Sequence, residues 1–89
     1  MRDLTDVEYD ILNAIYFVEP FEKITEDVDF PVNIISDSLK FLIEHKLVSA
    51  MKWDPNKKVF IRSYIYDADN MKAYQYLITR EGLEAHNTR

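Results

Sequence analysis

The chain has 89 residues, a formal charge of −5, one glycine, three prolines and no cysteine. A chain of this length is expected to form one domain, residues 1–89, that buries only about 60 to 65% of its unfolded surface and leaves no room for a separate substrate domain. Zero cysteine excludes a disulfide framework and any thiolate zinc site, and it suits a reducing compartment, here the cytoplasm.

The first element is announced at Thr5. Thr5 and Glu8 stand three apart and can cap each other's free backbone N–H groups, with Leu4 and Tyr9 bracketing them as a hydrophobic staple. Val7, Ile11, Ala14, Ile15 and Val18 recur at the spacing of one helical face, and Pro20 forces the chain out of helix after Val18 or Glu19. Phe21 and Ile24 then make an apolar approach to Thr25, read as the N-cap of a short second helix that ends near Phe30. A third helix follows, with either Pro31 at its first position or Asn33 as its cap. Ile35, Leu39, Leu42 and Ile43 form its apolar stripe, and Asn33, Ser36, Asp37, Lys40 and Glu44 its polar one.

Beyond Leu47 the period changes from 3.6 to 2. Leu47 to Trp53, Lys58 to Tyr66 and Met71 to Thr79 are rich in β-branched and aromatic residues, and the segments between them, 54–57 and 67–70, carry turn chemistry. Thr79 can cap a last short helix reaching about His86, which Gly82 weakens. No apolar run is long enough to span a membrane, since even Ala14 to Val18 stops at Glu19, and the start at Arg2 and Asp3 is not that of a signal peptide.

Charge is segregated along this chain. Residues 1–30 sum to −7, residues 31–50 to zero, residues 51–66 to +3 and residues 67–89 to −1. The acids Asp6, Glu8 and Asp10 suit the first turns of a helix, where the helix dipole favours them. The net charge argues against unspecific clamping of nucleic acid by the molecule as a whole, and the basic middle argues for a local surface.

Catalysis is not expected. His45 and His86 lack metal-site spacing and are read as surface or helix-end residues. A single glycine cannot make a phosphate-cradling loop, and no serine stands in a nucleophile elbow. No cofactor, metal or small-molecule pocket is expected.

The run Leu39 to Val48, LKFLIEHKLV, resembles the end of the recognition helix and the entry into the wing in the winged helix-turn-helix superfamily. The run Tyr76 to Leu83, YLITREGL, is similar to the strand-to-helix exit that closes the wing in small bacterial or archaeal transcriptional regulators of this type. With the upstream helix signals, the resemblance covers nearly the whole chain. It implies an α+β fold: a three-helix core, an enlarged antiparallel wing of two to three strands and a short C-terminal helix. Two features depart from the family pattern. Lysine stands at position 46, where a left-handed residue and hence glycine is usual, and thirty residues separate Val48 from Thr79, more than a two-stranded wing needs.

What the resemblance implies for function is double-stranded DNA binding and transcriptional regulation. The third helix would present Asn33, Ser36, Asp37 and Lys40 to the major groove. Asn33 can read adenine, Lys40 can reach guanine or a phosphate, and Asp37 can accept from cytosine. The wing would contribute Lys52, Trp53, Lys57, Lys58 and Arg62, cations interleaved with flat apolar rings. The same residues also fit an ordinary solvated helix face and cross-strand packing with lysines that keep an edge soluble. A protein-interaction module, binding a protein partner or itself, is the alternative, because the acidic first third would repel phosphates near it.

Overall fold

The computed structural model describes residues 3–89 and shows an α+β architecture, four helices and a four-stranded antiparallel sheet. Helix α1 spans Asp6–Ala14. Thr5 opens it with the expected capping box: its hydroxyl accepts from Glu8 N at 3.2 Å and Glu8 Oε1 accepts from Thr5 N at 2.9 Å. The helix ends earlier than the apolar spacing suggested. The Ile15 carbonyl accepts from Ile78 N at 2.9 Å, so the chain turns towards the sheet and never reaches Pro20 as a helix. Ile15 is fully buried, whereas Phe17, beyond the helix, is 82% exposed.

After strand β1 (Glu19–Pro20), helix α2 runs from Phe21 to Asp27. Thr25 therefore lies inside α2 and does not cap it, and its hydroxyl donates to the Glu22 carbonyl at 2.8 Å. The start is set instead by Pro20, whose extended backbone precedes the first turn, and by burial of Phe21, Ile24 and Val28. Helix α3 spans Val32–Glu44. Neither expected start applies: Pro31 is itself the capping residue, its carbonyl accepting from Ile34 and Ile35 N at 3.0 Å. Asn33 is thus left free of any capping duty and exposed. Ile35, Leu39 and Leu42 are fully buried, as their spacing requires.

Lys46 closes α3 in the left-handed conformation, with φ 62°. Leu47 N donates to the Leu42 carbonyl at 2.9 Å and Lys46 N to the Ile43 carbonyl at 3.0 Å, the paired bonds of a Schellman ending. Burial of both Leu42 and Leu47 holds a non-glycine residue there, against a left-handed cost of about 1–2 kcal/mol.

Strands β2 (Val48–Asp54) and β3 (Val59–Arg62) form a hairpin, and β4 (Gln75–Ile78) pairs with the other side of β2 and with β1. The sheet order is β1-β4-β2-β3. The expected second strand stops at Arg62, short of Tyr66, and the expected third begins only at Gln75, because Met71–Ala73 makes a 3-10 turn. Met71 is buried there, and the buried Tyr76 hydroxyl donates to its carbonyl at 2.7 Å. Turn formation at that point wins over β-propensity because it carries the chain back across β2.

Helix α4 (Arg80–Asn87) is capped by Thr79 as expected, with Gly82 N donating to its hydroxyl at 3.0 Å. The same hydroxyl donates to the Lys46 carbonyl at 2.7 Å, and Thr79 N donates to the Leu47 carbonyl at 3.0 Å, so the end of α3 and the start of α4 are tied. His86 stands in the last turn of α4, the helix-end alternative, and is buried, not a surface residue. Its ring stacks on Tyr9 at 4.3 Å and its Nδ1 bonds the Tyr16 hydroxyl at 2.8 Å, which docks α4 on α1. No helix among the described residues is long and apolar enough to cross a membrane.

Candidate nucleic-acid interface

The polar stripe of α3 does not face open solvent along its whole width. Asn33, Ser36 and Lys40 form one wall of a groove whose other wall is the segment Ala68–Lys72 and whose end is Phe21 of α2. Its volume, about 630 Å³, falls in the range of small-molecule pockets, which the sequence did not foreshadow. Asp37 lies outside this groove and is exposed.

The groove wall is a folded loop. Asp67 Oδ1 accepts from Asp69 N at 3.0 Å, the Asp67 carbonyl accepts from Asn70 N at 3.0 Å, and the Tyr74 hydroxyl accepts from Asp67 N at 2.8 Å. Buried Met71 anchors it below. This construction holds Lys72 across from Lys40. Lys72 was missed because it falls within a stretch read as strand, and only the closure of the groove gives it a partner surface.

Lys52, Trp53, Lys57, Lys58 and Arg62 all lie on the β2–β3 hairpin or its turn, but they do not share a face. Lys52 pairs with Ile61 and Met51 with Arg62. Residues directly opposite share a face and neighbours along a strand alternate. Lys52 and Arg62 therefore point to opposite sides of the hairpin. Lys52 lies on the inner, core-side face, with its Nζ 5.1 Å from the Tyr74 ring centroid. Trp53 and Arg62 lie on the outer face, where Trp53 packs edge-on against Phe60 at 5.0 Å and Arg62 stands 4.8 Å over the Tyr64 ring.

Lys57 and Lys58 form the exposed tip. Asp54 Oδ1 accepts from Asn56 N at 2.9 Å and Lys57 N at 3.3 Å, and Lys58 takes a left-handed φ of 55° with its N–H on the Asp54 carbonyl. Asp54 is thereby used in building the turn.

Asp69 lines the α3 groove beside Lys72, and other acids gather away from it. Asp10, Asp27 and Asp29 line a groove beside α1, and Asp6 and Asp10 line its neighbour with Tyr9, Phe30 and Arg89. None of Glu26, Asp27 and Asp29 lines the α3 groove. Among the described residues, Lys23, Arg80 and Arg89 have carboxylate partners in Asp27, Glu84 and Asp6. Lys40, Lys46, Lys52, Lys57, Lys58, Arg62 and Lys72 have none among the described residues. No group of three or more possible metal-binding side chains occurs among the described residues.

These features define an α+β architecture whose unpaired cations fall in the α3 groove and on both faces of the β2–β3 hairpin. No family model, curated protein or solved structure matches the chain.

Proposed function

We propose that this chain is a winged helix-turn-helix domain that binds double-stranded DNA as a small transcriptional regulator, with α3 as the third helix and the β2–β3 hairpin as the wing. It works by binding and catalyses no reaction. The observation that carries the reading is the partition of cations. Among the described residues Lys23, Arg80 and Arg89 are paired with carboxylates, whereas the cations of the α3 groove and the hairpin, together with Lys46 at the end of α3, are not. A polyanion is the partner that such a surface attracts over several ångströms.

In this reading Lys40, Lys52, Lys72 and the tip lysines Lys57 and Lys58 contact phosphates, while Asn33, Ser36 and Asp37 meet base edges. Five phosphate contacts correspond to a slope of log affinity against log salt of about −4.5. The double variant Lys57→Ala, Lys58→Ala is expected to bind duplex DNA more weakly, with a slope near about −2.7, and to keep its fold because both residues are exposed at a turn. Unchanged affinity and slope would remove the hairpin tip from the site.

A protein partner or a second copy of the chain is the competing reading. Tyr64 and Ile65, 81% and 91% exposed beside the edge strand β3, favour it. The two separate cleanly: no duplex shift at low salt, together with a dimer in sedimentation, selects the interaction module.

A further inference from the structure

The outer face of the sheet differs from the rest of this acidic molecule. The strands contain two acids, Glu19 and Asp54. Glu19 pairs with buried Tyr76 and Asp54 with Val59, and both registers put them on the inner face with Lys52. The outer face accordingly carries no carboxylate at any strand position. It carries Trp53, 53% exposed, set edge-on against Phe60 directly across the strand pair. One step further along the same face stands Arg62, and the tip lysines border its end.

We infer that this outer face is a platform for single-stranded nucleic acid, with Trp53 and Phe60 stacking on successive bases and Arg62, Lys57 and Lys58 meeting the phosphates. Stacking suits it because a base offers a flat apolar surface whatever its identity, and an exposed indole half out of the sheet offers the matching one. A duplex does not suit it, since its bases are already stacked on each other. An acidic protein segment would satisfy the cations and leave the rings no flat partner. The platform lies opposite the surface proposed for duplex binding and shares only the tip with it, so either can fail alone.

Trp53 is the single tryptophan of the chain, so its fluorescence reports the site directly. Titration with a short oligothymidylate at low salt is expected to quench it saturably, with a salt slope of about −2.1 for three phosphate contacts on a single strand. By anisotropy of the labelled oligonucleotide, Trp53→Leu is expected to weaken binding about 10-fold or more, whereas Trp53→Tyr, which keeps a flat ring, retains it and shows that the loss is not one of folding. The decisive pair is Arg62→Gln and Lys52→Gln. Each removes one charge from the same hairpin, but only the first is on the outer face. Compared at about 0.15 M salt, where the Debye length is about 8 Å, Arg62→Gln should weaken oligothymidylate binding several-fold and Lys52→Gln by less than about twofold, its charge being on the far side and screened. Absence of saturable quenching, equal losses for the two variants, or equally tight binding of polyglutamate would each overturn the proposal, the last in favour of a protein partner.

Discussion

Gly82 illustrates how a single residue can be misjudged from propensity. In the middle of α4 a glycine costs about 1 kcal/mol relative to alanine, which suggests an easy gain from replacing it. A Cβ at this position would instead stand 2.1 Å from the Leu47 carbonyl oxygen and 2.8 Å from Ile78 Cγ1. That oxygen already accepts from Thr79 N, so it cannot retreat without breaking the tie between α3 and α4. Overpacking at such a contact costs more than propensity returns. Gly82→Ala is therefore expected to destabilise the domain by about 2 kcal/mol, read as a lower urea midpoint. A gain in stability would show that α4 shifts away freely. The spacing of sequence signals around Thr79 revealed the cap, but not this contact, which depends on a partner thirty-five residues earlier in the chain.

At the scale of elements, those with a local cause were the most legible. The capping box at Thr5, the buried stripe of α3, the left-handed Lys46 and the cap at Thr79 each depend on residues within one or two turns, and each occurs. The start of α2, the end of α1 and the limits of the strands depend on where a carbonyl finds its donor across the fold. The Ile15 carbonyl bonding to β4 and the 3-10 turn under Tyr76 are of this kind. The two-residue β1 carries too short a pattern to be read at all. Strand β4 lies between β1 and β2, whereas β3, like the two-residue β1, is an edge of the sheet. The amides of β3 are accordingly expected to exchange with solvent much faster than those of β4, measured by hydrogen exchange and mass spectrometry. Equal protection would mean that the β3 edge is covered in solution, as a self-associating module requires.

For the molecule as a whole, stability should depend on tyrosine protons at high pH. Burial pushes the Tyr76 hydroxyl far above its ordinary value, with smaller contributions from neighbouring Tyr66, Tyr74 and Glu22. Burial, aided by Glu44, also raises Tyr66. The unfolded chain releases these protons near pH 10, and the folded chain holds them. Their contribution is complete below about pH 10 and is lost as pH rises towards the folded-state values. Urea midpoints are expected to fall as pH rises above about 10, less steeply in Tyr76→Phe. A pH-independent midpoint would contradict the burial of both phenols.

Composition and periodicity by themselves determined that helices precede the main strands and which residues of α3 are buried. They also showed that positive charge concentrates in the hairpin segment. Those properties are sums or short-range patterns, and a linear chain displays them. Only the tertiary structure decided which cations act together. Strand pairing sends Lys52 and Arg62 to opposite faces although both belong to one hairpin, and loop closure brings Lys72 to Lys40 across a gap of thirty-two positions. Surface charge acts over ångströms in space and not over positions in sequence, so the −5 of the chain resolves into distinct surfaces only once the sheet register and the 67–73 loop are in place.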